Sequence, residues 1–367
     1  MSAATHCPAG YPLPRWPRPI VSIGAGGIAR DAHQPAYAGA GFPVATVYDR
    51  NPQHAYALAR DFGIPRVAES LEQAIATAPP GAVYDLALPA GEVARTLDRL
   101  PDASAVLIQK PLGESLSQAA EIRGICRRKR LTAAVNFQLR YAPYIRGARS
   151  LIQRGDIGPV HDLEARVNVY TPWHLWEFLE RLPRVEILYH SVHYVDLIRS
   201  FLGEPRRVWA HTLAHPFAAK LASSRSTILL DYGPQVRAAI STNHGHKFGL
   251  QHQESFIKWE GATGAVKARL GLLMNYPGGE PDALEICRLD EHGRPGAWEA
   301  VPFDGSWFPD AFVGPMADLM RHLDGEIDGL PTSVDDAYRT MAVVEAAYRS
   351  SGRGGEAPPA AAEGEAL

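Results

Sequence analysis

Cysteine is scarce: Cys7, Cys126 and Cys287 are the three among 367 residues. They lie far apart and form no C-x-x-C pair, so neither a disulfide framework nor a cysteine zinc site is indicated. A reducing cytoplasm fits this usage. No stretch approaches the roughly 18 consecutive apolar residues of a membrane span. The opening residues hold prolines and charges rather than the apolar core of a secretory signal. Charge of one sign is also lacking. A formal net charge of −3 supplies no basic field for nucleic acid or an anionic membrane. What remains is an ordinary profile, 46% hydrophobic and 21% charged, with chain enough for two domains. No internal repeat is present.

The densest information lies in Pro19 to Asp31, PIVSIGAGGIARD. Ile20, Val21 and Ile23 read as a short buried strand. Gly24, Gly26 and Ala29 follow in the spacing G-x-G-x-x-A. The first glycine permits a tight turn, the second lets backbone approach a pyrophosphate, and the third small residue lets the next helix pack on the strand. Gly27 and Ile28 open that helix, whose N-terminal N–H groups and dipole favour phosphate. Alone, the pattern also describes a glycine-rich turn. A second strand, Val44–Tyr48, ends on Asp49, where an acid would meet the adenosine ribose. Arg50 beside it offers a guanidinium to a 2′-phosphate. The expected cofactor is NAD, with NADP tolerated.

From residue 19 to about 139 the pattern alternates short apolar runs with helices: Ile20–Ile23, Val44–Tyr48, Val83–Leu88, Ala105–Ile108 and Ala133–Phe137. Asn51 before Pro52 reads as an N-cap, and Ser70 with Gln73 and Ser115 with Gln118 read as capping boxes. This alternation predicts an α/β fold with a doubly wound parallel sheet. The texture then changes. A connecting helix at Tyr144–Arg154, a strand at 160–171 and a helix at Glu186–Leu202 lead into six strand-like runs between Arg207 and Leu289. Strands without intervening helices predict a second, α+β domain with a large antiparallel or mixed sheet. Helices at Phe312–Leu323 and Val334–Arg349 close it. The expected division is an irregular arm at 1–18, a dinucleotide domain at 19–139, a substrate and oligomerisation domain at 140–350, and a disordered tail at 351–367.

Two further clusters carry chemistry. The strand Ala105–Ile108 ends in Gln109-Lys110-Pro111, and ligands bind outside the carboxyl ends of such strands. Lys110 would therefore face the reactive end of a cofactor, although a surface lysine reads the same way. On the helix at Glu186–Leu202, Leu188, Val192, Val195 and Leu202 form a core stripe. Tyr189, His193 and Asp196 form a neighbouring one, and His190 lies slightly further round. A tyrosine, a histidine and a carboxylate on one face can relay protons; equally, Asp196 can simply hold the histidine. Trp173, His174, Trp176 and Phe178 form an aromatic segment that either walls a sugar site or packs a core. His244, His246 and His252 match no compact metal spacing and have no carboxylates arranged around them in sequence, so no metal is expected.

Here the chain resembles the glucose–fructose oxidoreductase / inositol dehydrogenase (Gfo/Idh/MocA) family. The matching pieces are VSIGAGGIA with Asp49, LALP at Leu86–Pro89, QKP at Gln109–Pro111, FQLRYAP at Phe137–Pro143, GDIGPV at Gly155–Val160 and HYVD at His193–Asp196. The closing DAYRTMAVVEAAYRSS matches as well. The resemblance implies a Rossmann domain, a C-terminal α/β domain with an open sheet that often forms an oligomer interface, and NAD(P)-dependent redox chemistry on a sugar, polyol or cyclitol. It places the signature lysine at Lys110 and the catalytic histidine at His193, with Tyr189 beside it. Asp196 corresponds to an acid that is more often structural. Pro89, Gln109 and Asn136 join the expected cofactor contacts; Arg140, Trp173, Tyr189 and His190 join Lys110 and His193 as expected substrate contacts. Three positions depart from the family. Gln109 stands for the usual glutamate, Tyr189 for an aspartate, and Val93 for a histidine.

The expected activity is hydride transfer between a nicotinamide and a sugar, polyol or cyclitol hydroxyl, in a homo-oligomer such as a dimer or tetramer. A transient-oxidation glycosidase or epimerase-like enzyme and a non-catalytic dinucleotide sensor are the alternatives. Without a carboxylate at position 189, His193 is expected to work as a neutral base near its ordinary pKa of about 6.5.

Overall fold

The computed structural model describes residues 10–355. Its first layer is a five-stranded parallel sheet of β1 (Ile20–Ile23), β2 (Val44–Tyr48), β3 (Val83–Leu86), β4 (Ala105–Gln109) and β5 (Thr132–Asn136), in the order β2-β1-β3-β4-β5. Every residue of β1, β3 and β4 is buried, as strands covered on both faces require. Helices α1 (Gln34–Ala40), α2 (Pro52–Phe62), α3 (Leu71–Ala76), α4 (Val93–Arg99) and α5 (Leu116–Arg128) run between the strands. Asn51, Ser70 and Ser115 cap as expected, accepting the N–H groups of Gln53, Gln73 and Gln118. The two glutamines reach back to Glu69 and Glu114 rather than to the capping serines, so each box closes one residue further upstream.

Helix α6 (Pro143–Gln153) leads into the second layer. Its sheet holds β6 (Val160–Asn168), β7 (Arg207–Leu213), β8 (Arg225–Asp231), β9 (Arg237–Asn243), β10 (Glu254–Gly261), β11 (Gly264–Arg269), β12 (Ala283–Arg288) and the short β13 (Glu299–Ala300). The order is β13-β12-β11-β10-β6-β9-β8-β7, with β6 and β9 parallel and the other pairs antiparallel. Burial alternates along these strands, so one face is packed and the other open. Leu163, Val167, Ile240, Ile257 and Val266 belong to the packed face and share a core with α6 and with α7 (Val192–Leu202). Trp259 lies there too, fully buried with its ring 5.1 Å from that of Phe201. Its strand register turns it inward.

The two closing helices serve different layers. Met316, Leu319 and Met320 of α8 (Val313–Leu323) pack with Ile20, Val83 and Leu107 of the parallel sheet. Helix α9 (Val334–Arg353) lies against β7, where the Ser350 and Ser351 hydroxyls accept the N–H groups of Ala210 and Thr212. These bonds occupy part of a sheet edge that would otherwise invite another strand. The helix continues past Arg349 for the same reason, and residues 351–353 of the expected tail are helical. The remainder of that tail from 356, and residues 1–9 of the expected arm, lie outside the described residues. Residues 10–18 are tied down: the Tyr11 hydroxyl donates to Asp318 at 2.8 Å and Arg18 pairs with Asp324.

A buried charge cluster joins three of these parts. Arg140, just after β5, donates to both oxygens of Asp196 on α7, at 2.6 and 2.5 Å, and to Asp336 on α9 at 2.6 Å. Thr340 donates to Asp196 and accepts from Arg199. Asp196 is 1% exposed, so removing it leaves a buried guanidinium short of its acceptor. Asp196→Ala should lower the free energy of unfolding by about 3–5 kcal/mol in a urea titration. A loss below about 1 kcal/mol, the range of a surface pair, would contradict this.

Candidate active site

The parallel sheet reverses direction of winding between β1 and β3, and the glycine loop sits at that switch point. Gly24 has φ +104°, and a Cβ there would lie 2.3 Å from the carbonyl oxygen of Ala87 just beyond β3. Only glycine meets both demands. A Cβ on Gly26 would meet nothing within 4 Å, which leaves the backbone open to close approach. Gly27 and Ile28 begin the helix, which runs through a π-helical turn at Ala29–His33 into α1. Ala29 is fully buried between strand and helix. The Asp49 carboxylate accepts the N–H of Ala25 at 2.7 Å and that of Asn51 at 2.8 Å. It thereby brings the end of β2 against the loop. Arg50 is 74% exposed and lies 3.7 Å from Glu92. Pro89 precedes the turn Ala90–Glu92 on the opposite side of the loop. These groups fit a dinucleotide: an open glycine backbone for pyrophosphate and a held carboxylate for ribose.

At the end of β4, Gln109 and Asn136 of β5 bond each other, Nδ2 to Oε1 at 3.0 Å. The same amide lies 3.2 Å from His33, whose other ring nitrogen meets Asp85 at 2.9 Å. Sequence reasoning placed Gln109 and Asn136 against a cofactor; the structure buries both side chains in this network. Lys110 follows, and its ammonium donates to the backbone carbonyl of Tyr189 at 2.8 Å.

The helix expected at Glu186–Leu202 begins with a π-helical segment, Glu186–Ser191, before α7. The wider turn inserts a residue into the helical count and alters the expected stripes. The Tyr189 ring stands edge-on to Phe178, and its carbonyl, not its hydroxyl, meets Lys110. His193 stands edge-on to Trp307 with ring centroids 5.6 Å apart, and its Nδ1 is buried without a partner. Asp196 neither holds His193 nor continues a proton relay, because both of its oxygens serve Arg140. Arg140 in turn is committed to two carboxylates, which corrects its placement against a substrate. Trp173 and Trp176 are half-buried and flank this region, with Trp173 against His244 and Trp176 against Tyr276. His174 and Phe178 are exposed.

The expectation that no carboxylate accompanies the distal histidines also fails. Glu186, His190 and His244 bring ligand-capable atoms within 4.8 Å of one another. Glu186 and His190 come from the π-helical segment and His244 from the end of β9, 54 residues beyond His190. That separation hides the cluster from any spacing argument. The usable signals are a glutamate and a histidine four residues apart at the start of the Glu186–Leu202 helix and a histidine directly after β9. Trp307 gave no signal.

Burial sets the proton affinities. It lowers the Lys110 ammonium to about 8. Burial, then the nearby Lys110 charge, hold His193 well below its ordinary range; burial, His244, His193 and Lys110 do the same to His190. Burial and then Glu114 raise the Tyr189 phenol. A near-ordinary pKa for His193 is thus overturned, because desolvation outweighs the missing carboxylate.

Comparison with known proteins agrees with this fold. Residues 19–137 match the oxidoreductase family with an NAD-binding Rossmann fold, and residues 145–257 match the Gfo/Idh/MocA C-terminal domain. The fold and site define an NAD-binding oxidoreductase. The chain belongs to the Gfo/Idh/MocA family. It is 24% identical over 268 residues to a D-apiose dehydrogenase of Paraburkholderia graminis, covering 68% of this chain and 65% of that protein. A D-apiose dehydrogenase of Rhizobium rhizogenes is 23% identical, covering 86% and 89%. A 1,5-anhydro-D-fructose reductase of Ensifer adhaerens is 31% identical, covering 50% and 56%. Among solved structures, an oxidoreductase from Agrobacterium radiobacter in complex with NAD+, L-tartaric acid and magnesium superposes with TM-score 0.75 at 21% identity, covering 92% and 97%. The WlbA dehydrogenase of Bordetella pertussis, in complex with NADH and UDP-GlcNAcA, superposes with TM-score 0.70 at 18% identity, also covering 92% and 97%.

The buried histidine generates a direct test. In an NMR titration, the His193 ring should stay neutral as pH falls through its ordinary value of about 6.5. A midpoint at that value would place the ring in water and contradict its burial.

Proposed function

We propose that the chain oxidises a hydroxyl of a sugar, polyol or cyclitol with NAD, or reduces the matching carbonyl. The observation that carries this reading is a lysine of lowered pKa at the carboxyl end of β4, bonded to the helix segment that bears His193. The nicotinamide, when bound, supplies the hydride acceptor or donor. The chain's own residues handle the proton and the pose. Lys110 in its neutral form takes the hydroxyl proton, and neutral His193 accepts a hydrogen bond from the substrate. The high phenol pKa makes Tyr189 a donor that orients the sugar. Trp173 offers a face for a ring. Asp49 bonds the ribose hydroxyls and repels a 2′-phosphate, while Arg50 lies toward Glu92. The relatives named as sugar dehydrogenases and reductases support the substrate class.

The test is a screen of aldoses, polyols and cyclitols with both nicotinamides. NAD should give the higher kcat/KM. Oxidation should rise as pH increases through about 8, since only the deprotonated Lys110 accepts a proton and its lowered pKa lies there. Lys110→Ala should cut kcat by about 10²–10⁴ and leave NAD binding intact. Turnover within a few-fold of the parent would remove the lysine from the chemistry.

We further propose a cytoplasmic homo-oligomer assembled through the open sheet face. No helix among the described residues is long and apolar enough to cross a membrane, and Cys126 and Cys287 are free thiols. Ion pairs Arg166–Glu254, Lys258–Glu164 and Arg237–Asp162 cross the middle of the open face, and exposed Trp209 and Leu229 lie toward its β7 side. A second copy would cover those apolar groups and pair charge with charge. Sedimentation at micromolar concentration should give a dimer or larger; a monomer overturns this assembly.

A further inference from the structure

We propose that Glu186, His190 and His244 form a binding site for a divalent transition-metal ion of the zinc class. Two imidazoles and one carboxylate are a donor set that zinc and its first-row neighbours take, whereas magnesium and calcium prefer oxygen alone. Glu186 Oε1 lies 3.6 Å from His244 Nε2 and 3.9 Å from His190 Nδ1. Both separations exceed a hydrogen bond. They are close to the roughly 3.3 Å between ligands on a tetrahedral ion with bonds of about 2.0–2.1 Å.

The second observation is independent of that spacing. Glu186 Oε2, His190 Nδ1 and His244 Nε2 are all buried without a hydrogen-bond partner. The side chains of Glu186 and His244 are fully buried. Orphaned buried polar atoms are rare and need an explanation; the two imidazole nitrogens that face Glu186 Oε1 are explained by a cation. The outer partners suit the role. Thr171 Oγ1 lies 2.8 Å from His244 Nδ1, so a proton on Nδ1 leaves the Nε2 lone pair for the ion. The Ser191 hydroxyl donates to Glu186 Oε1 at 2.7 Å and fixes the carboxylate. The π-helical turn puts Glu186 and His190 at one end of the site, and such turns occur often at functional positions.

Three protein ligands leave a fourth position for water or a substrate oxygen. His190 is 17% exposed while the other two ligands are sealed, so the fourth ligand enters on its side. Lys110 bonds the carbonyl of the preceding residue, Tyr189. The cation site therefore adjoins the proposed proton acceptor, but its existence does not depend on the dehydrogenase reading.

The test uses the full chain stripped with a chelator, then titrated with Zn2+ alone and with Co2+ as a spectroscopic probe. One ion per chain should bind, raise the melting temperature, and give Co2+ the intense visible bands of a four-coordinate site. His190→Gln and Glu186→Gln should abolish stoichiometric binding, and exposed His252→Ala should leave it unchanged. Thr171→Val, which removes the outer partner and leaves the three ligands, should weaken Zn2+ by about 10–100-fold and covers the case in which a ligand variant fails to fold. Metal content of the parent no higher than that of Glu186→Gln, or a melting temperature unmoved by excess Zn2+, overturns the assignment. These readouts need no turnover, so a failed substrate screen leaves them intact.

Discussion

The Arg140–Asp196–Asp336 cluster is the constraint on which the site's geometry rests. A guanidinium taken from water requires partners with good geometry, and Arg140 finds two carboxylates on two different helices. One helix carries His193, and the other lies along the edge of the large sheet. Arg140 itself follows β5, whose end adjoins Gln109 and Lys110. One buried side chain thus fixes the histidine helix relative to the strand ends where a dinucleotide binds. Asp196 thus holds the scaffold rather than the proton.

With the helix fixed, burial decides the proton chemistry. Gln109 in place of a glutamate removes a charge that would keep the lysine protonated, and desolvation then lowers Lys110 without opposition. A neutral amine becomes available close to physiological pH. The same desolvation keeps His193 uncharged, which avoids two adjacent cations in a low-dielectric space. The departures at positions 109 and 189 are therefore consistent with one another: two acids are absent, and burial keeps His193 neutral while bringing Lys110 down to about 8.

The parallel sheet was legible because local chemistry decides it. The glycine spacing, the apolar runs and three capped helices are each written within a few residues, and Asp49 arrives at the expected distance along the chain. The second sheet was legible as strands, but its pairing was not, since β6 pairs with both β9 and β10 across long sequence gaps. Which face Trp259 joins is decided by strand register, not residue type. Arg140 was read as a substrate contact because its partners lie 56 and 196 residues away. The π-helical segment has no sequence mark, and its wider turn shifts Tyr189 and His190 relative to His193 from where helical counting puts them.

The polar atoms left unpaired argue in the same direction. A fold that needed only stability would replace Glu186, His190 and His244 with apolar residues of similar volume, since each unsatisfied buried acceptor is unfavourable by about 1–3 kcal/mol. The surrounding shell does not relieve the two imidazoles: Thr171 bonds His244 Nδ1 and leaves Nε2 free, while Ser191 holds the Glu186 oxygen that faces them. Half-satisfied networks are tolerated where something else completes them. The Gln109–Asn136–His33–Asp85 network a few residues from Lys110 gives a contrast, because there both nitrogens of His33 and the Asn136 amide nitrogen find partners inside the protein and Asn136 Oδ1 is the buried atom left over. The same chain can satisfy a buried polar cluster internally, and around Glu186 it does not.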